Sequence, residues 1–174
     1  MSRPRQTLLP EINSLDRAAF TALLGGIFEK SPWIADAAWE KRPFASTTAI
    51  LAAMVEAVED AGGSRLLDLI RAHPDLGARL PERASLTPES LGEQSSTGLF
   101  DTSPAELDRL RALNTEYTSR FGFPFIICAR LNSVATIFDS IQTRLHNTHE
   151  TEIAEAWRQI QKIAALRLAD LVTD

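Results

Sequence analysis

The chain is short of the residues on which several common chemistries depend. It has one cysteine, Cys128, so no internal disulfide can form, and the apolar neighbours of that thiol suit a buried small residue in a reducing compartment. It has no Gly-x-Ser-x-Gly elbow, no phosphate-cradling glycine loop and no dinucleotide fingerprint, which removes the usual support for hydrolase, nucleotide and hydride-transfer classes. Positive charge is scarce as well: 18 Lys and Arg stand against 23 Asp and Glu, for a formal charge of −5. The basic residues are dispersed, so nothing attracts a phosphate backbone, and nucleic acid is not an expected partner. No apolar run approaches the roughly 20 residues that span a bilayer. Met1 to Gln6 lacks the apolar segment of a secretion signal, and Leu171 to Asp174 is not a peroxisomal address. The expected compartment is the cytoplasm, with no membrane partner.

What remains is a chain of 174 residues, 44% of them apolar, which suits one domain over residues 1–174 with a single core. Helix signals recur from end to end, and the reading is an all-α bundle of about seven to eight helices. Ser14 opens a run with Leu15, Ala18, Ala19, Ala22 and Leu23 on one face, ended by Gly25-Gly26. Ser31-Pro32 reads as a cap followed by proline at the first helical position. A helix from Ser46 or Thr47 runs to Gly62-Gly63, and the next covers Arg65 to Ala72. Thr87-Pro88 starts a short helix, and Ser103-Pro104-Ala105-Glu106 is a capping box before a helix that Phe121-Gly122 stops. Two more follow, Ser133 to His146 and Thr148 to Leu171, the second with Ile153, Trp157, Ile160, Ile163, Ala164 and Leu168 inward.

Polar groups gather beside three of the breaks between these helices. The helix ending near Ala72 must finish by His73, because a residue that precedes proline is pushed out of the right-handed helical region. His73 is therefore fixed at a helix end. An imidazole titrates near pH 6.5 and can give or take a proton at neutral pH, or it can simply cap the last helical carbonyls. Ser90, Glu93 and Gln94 fall at i, i+3 and i+4, so they share a helix face and can point at one object. Glu93 could orient the imidazole, hold its proton or bind a polar ligand; alone it would read as an exposed carboxylate. Phe123 to Arg130 is too apolar for a surface loop and reads as a buried extended piece whose amides need partners, some of which a ligand could supply.

Two other arrangements carry less. His146 and His149 flank a break near Glu150 and Glu152, but no third ligand has recognisable spacing and the segment reads as exposed, so no metal site is expected. Cys128 lacks an adjacent activating histidine and reads as a core thiol.

Taken in order, His73-Pro74-Asp75-Leu76-Gly77, then Leu86-Thr87 with Glu89-Ser90 and Glu93-Gln94, then Phe121 to Arg130, the chain resembles the OHCU decarboxylase family of urate breakdown. OHCU is 2-oxo-4-hydroxy-4-carboxy-5-ureidoimidazoline. The resemblance extends over essentially the whole chain, including the Leu113 to Tyr117 run and the surroundings of Arg167. It implies an all-helical, cofactor-free carboxy-lyase that makes (S)-allantoin and carbon dioxide, with a homodimer as the expected assembly. It implies His73 as the catalytic histidine, with Glu93 assisting. It also implies Pro74, Ser90, Leu91, Gly92, Glu93, Gln94, Phe125, Ile126, Ile127, Cys128 and Ala129 as substrate-binding positions, and Arg167 as a cation for the substrate carboxylate. Thr97 departs from the family, which more often has alanine there. Two other readings stay open: a cofactor-independent lyase or isomerase on a related small acid, and a helical homologue that binds such a ligand without turning it over.

Overall fold

Local capping chemistry fixes most helix starts. A computed structural model describes residues 6–77, 86–96, 98–99 and 102–174. Among these residues the chain forms nine α-helices, two 3₁₀ turns and one pair of two-residue strands, so the all-α expectation holds. Thr97 lies outside the described residues. None of the described helices is long and apolar enough to cross a membrane.

The described chain falls into two compact units, one of residues 1–69 with 161–174, the other of residues 70–160. In the first, β1 (Thr7–Leu8) pairs in parallel with β2 (Val172–Thr173), Thr7 opposite Val172. Helices α1 (Leu9–Ser14), α2 (Arg17–Leu24), α3 (Pro32–Ala38) and α4 (Thr47–Asp60) follow, α3 packing on both α2 and α4. Helix α1 is an element that the sequence pattern did not announce. Its presence moves the next start: Ser14 ends α1, and Asp16 caps α2 by accepting from the Ala19 amide. The inward residues of α2 are Phe20 and Leu24 instead of the expected alanine-rich face, because the aromatic ring outweighs several small side chains in buried apolar area. The core of this unit is built from Ile12, Phe20, Leu24, Ile34, Ile50, Met54 and Val58, with Phe20 stacked on Phe44 at 6.0 Å. Ser31 precedes Pro32 as expected, yet its side chain makes no capping bond.

Helix α5 (Gly63–Ala72) leads into the second unit, which also holds α6 (Pro88–Ser96), α7 (Pro104–Phe121) and α8 (Val134–Arg144). The long α9 (His149–Leu171) contributes its first twelve residues here and its remainder to the other unit. The capping box on α7 forms as the sequence implies. Ser103 accepts from the Glu106 amide, and the Glu106 carboxylate accepts from the Ser103 hydroxyl and amide, which holds its pKa below the ordinary carboxylate range. Gly122 ends α7 in the left-handed region at φ +77°, a conformation that costs side-chain-bearing residues about 1–2 kcal/mol. Tyr117 stands at the centre of this unit's core, against Phe121 at 4.6 Å and Phe125 at 5.2 Å.

Candidate functional site

Helix α5 stops at Ala72, and His73 is 8% exposed. The proline that follows excludes the helical conformation at His73, although its amide still reaches the Ile70 carbonyl at 3.3 Å. The chain then turns through Leu76 to Gly77, whose φ of +69° suits glycine alone at little cost. A Cβ on Gly77 would also meet the Leu110 side chain at 3.1 Å.

Side chains from two helices tie this turn down. The Gln94 amide spans it, accepting from the Gly77 amide at 3.1 Å and donating to the Asp75 carbonyl at 3.3 Å. Asn114 donates to the Leu76 carbonyl at 2.9 Å, and Arg111 donates to the Gly77 carbonyl at 3.3 Å. An amide makes both contacts because it carries a donor and an acceptor on one planar group. The helix that bears Glu93 is thereby joined directly to the turn that bears His73.

On α6 the expected face exists. Ser90 and Gln94 are buried and Glu93 is half-buried, whereas Leu91 and Gly92 are exposed on the other side. The Thr87 hydroxyl accepts from the Ser90 amide at 3.3 Å, the capping role implied by Thr87-Pro88. Helix α6 packs against the 3₁₀ turn Ala129–Leu131, so two of the three motif segments meet there and Gln94 brings in the third.

Phe125 to Cys128 is non-helical, Ala129 opens the 3₁₀ turn, and all five residues are buried, while Pro124 before them is half-buried. Backbone polar groups in such a stretch must find partners. Side chains supply several: Arg144 donates to the Ile126 carbonyl at 2.7 Å, Gln159 accepts from the Cys128 amide at 2.9 Å, and Asn132 donates to the Cys128 carbonyl at 2.9 Å. Cys128 is a buried free thiol.

Behind that stretch lies a charged cluster that the sequence reading missed. Arg144 meets Glu152 at 2.9 Å, and Glu152 also accepts from Tyr117 and, at 2.7 Å, from Asn147. Glu152 is fully buried, which corrects the reading of its segment as exposed. A carboxylate is buried only when paired and hydrogen-bonded, and this one has three partners. Burial, followed by the hydrogen bond to Glu152, pushes the Tyr117 phenol well above its usual range. The signal available in the sequence was the chain's one tyrosine, set between Asn114 and Phe121 on the inward face of α7.

Arg167 belongs to the other unit, where it is 5% exposed, pairs with Glu29 at 3.2 Å and donates to the Gly26 carbonyl. His146 and His149 are exposed and rest against the Gln142 and Phe121 carbonyls. Among the described residues no group of three or more His, Cys, Asp or Glu is arranged to hold a metal. What the second unit offers is a histidine at a helix break, an acidic helix linked to its turn, and a buried stretch of backbone amides beside that helix.

Comparison with known proteins gives this arrangement a context. Residues 13–169 match the family model described as OHCU decarboxylase. The chain is 38% identical to the 2-oxo-4-hydroxy-4-carboxy-5-ureidoimidazoline decarboxylase of Halalkalicoccus jeotgali, over 92% of this chain and 89% of that one. It is also 38% identical to the mouse protein of the same name, over 93% of this chain and 91% of that one. The crystal structure of an (S)-allantoin synthase superposes with a TM-score of 0.76 at 28% identity, covering 95% of this chain. The chain spans 54% of that protein's length.

Proposed function

The chain belongs to the OHCU decarboxylase family, and on that premise we propose that His73, Glu93 and the groups around them carry out its reaction. The protein is a carboxy-lyase of urate breakdown that converts OHCU into (S)-allantoin and carbon dioxide. The departing carboxylate sits on a ring carbon beside a C=N bond, which takes up the electron pair as the C–C bond breaks. Carbon dioxide leaves, the nitrogen of the former C=N bond takes up a proton, the adjacent hydroxyl gives up its proton to become a carbonyl, and a proton is added at the ureido-bearing carbon. The substrate thus contains its own electron sink, and the reaction proceeds without a cofactor.

The protein's part is orientation, stabilisation of developing charge, and delivery of a proton to one face of the carbon. His73 handles the hydroxyl or carbon proton, and Glu93 positions the imidazole or the ring. Pro74, Ser90 to Gln94 and the Phe125 to Ala129 backbone hold the ring and ureido groups. The observation that carries this reading is the double hydrogen bond of Gln94, which ties the His73 turn to the helix of Ser90 and Glu93. The working assembly is a cytoplasmic homodimer, which sedimentation equilibrium tests.

The deciding experiment adds the chain to urate, urate oxidase and hydroxyisourate hydrolase and follows the circular dichroism of allantoin. Optically active product should form faster than the spontaneous racemic background. A rate no faster than that background overturns the reading.

A further inference from the structure

The Phe125 to Ala129 stretch is buried and up to Cys128 has no regular structure of its own, so its conformation is set by what grips it. Besides Asn132, two side chains of α8 and α9 grip its backbone. Arg144, 7% exposed, lays its guanidinium over the Phe125 ring at 4.6 Å and donates to the Ile126 carbonyl. Its charge is balanced by Glu152, which Tyr117 and Asn147 also hold. Gln159, also 7% exposed, accepts the Cys128 amide at 2.9 Å and donates to Glu155 at 2.7 Å. The Gln159 amide is therefore oriented by Glu155, so that its oxygen faces the stretch.

We infer that Arg144 and Gln159 are positioning residues for the reaction, fixing the backbone of Phe125 to Ala129 in the geometry that meets the substrate. The inference rests on the proposed role of that stretch in binding OHCU. Neither residue touches the substrate. Each acts through a backbone group, and the Glu152 and Glu155 carboxylates set the direction in which each points. Displacement of a binding group by about 1 Å can cost up to about 10²-fold in rate, so a loose grip here should be read in kinetics before it is read in folding.

The test compares wild type with Gln159→Leu, Arg144→Lys and the double exchange Glu155→Gln/Gln159→Glu. Gln159→Leu removes the acceptor for the Cys128 amide and should raise KM by about tenfold or more with a smaller change in kcat. The double exchange restores an acceptor facing Cys128 and a donor–acceptor pair between positions 155 and 159, and should recover most of the loss. Arg144→Lys keeps the positive charge beside Glu152 but cannot hold Ile126, Phe125 and Glu152 together, and should show the same KM pattern. Folding of each variant is followed by far-ultraviolet circular dichroism and melting temperature. A folded Gln159→Leu with wild-type KM, or a double exchange that restores melting temperature but not KM, overturns the inference while leaving the activity intact. Absence of turnover by wild type itself overturns the reading on which it rests.

Discussion

At the scale of single residues, the site depends on rules of very different reach. The placing of His73 at a helix end was legible because the constraint is one residue long: Pro74 excludes the helical conformation before it, and α5 does stop at Ala72. The Arg144–Glu152 pair was not legible, because charged side chains are seldom fully buried and the pairing appears only when α8 and α9 come together. His73→Ala should lower kcat by about 10²–10⁴-fold, the usual worth of a positioned general acid or base, with the helical circular dichroism unchanged. A variant that retained most of the rate would remove the residue from the mechanism. Tyr117 offers a second prediction, helped by its being the chain's one tyrosine. Its phenol is held protonated by burial and then by Glu152, so the folded state binds that proton more tightly than the unfolded state does. The resulting stability is present in full below about pH 10 and is lost as pH rises beyond it. Phenolate absorbance should therefore emerge above the ordinary tyrosine range and together with unfolding. A phenolate signal at ordinary pH in a folded protein would contradict the burial.

At the scale of elements, caps were the readable part and strand or turn geometry the unreadable part. Ser46, Ser103 and Ser133 each accept from the amide three residues on, as their positions before helical runs imply. Helix α1 escaped notice because Leu8, at its cap position, offers no side-chain oxygen to the first-turn amides; Glu11 instead reaches back to the Leu8 amide at 3.2 Å. Two glycines separate stability from function at this scale. Gly122 and Gly77 both have positive φ, but a Cβ at Gly122 meets nothing within 4 Å, whereas one at Gly77 presses on Leu110. Gly122→Ala should cost about 1–2 kcal/mol from backbone conformation alone, a fall of several degrees in melting temperature for a chain of this size, with kcat and KM preserved in the folded enzyme. Gly77→Ala adds steric pressure within the turn that Gln94, Asn114 and Arg111 hold, and should lower kcat/KM as well as stability. Equal kinetics for the two variants would show that the turn does not position His73.

At the scale of the molecule, composition and periodicity were enough for an all-α fold but not for how the chain closes on itself. The pairing of Thr7–Leu8 with Val172–Thr173 joins the two ends of the sequence, and two-residue strands carry no alternation from which it could be read. The split into two compact units was equally hidden, since no linker composition marks residues 69–70 or 160–161. Two continuous helices, α5 and α9, nevertheless pass from one unit to the other. Helix formation is cooperative, and a helix interior melts only at the cost of a new pair of unsatisfied ends. Unfolding either unit alone would have to break α9 near residue 160, between the buried Ile160 and Ile163, and it would remove the packing that holds half of that helix. The chain should therefore unfold in one step. Trp33 and Trp39 lie in one unit and Trp157 in the other, so the claim can be measured directly. Urea transitions followed by fluorescence in Trp157→Phe, and in the Trp33→Phe/Trp39→Phe pair, should each coincide with the helical signal of the same variant. If the fluorescence midpoint departs from the helical one in either variant, the two units unfold independently and the shared helix does not couple them.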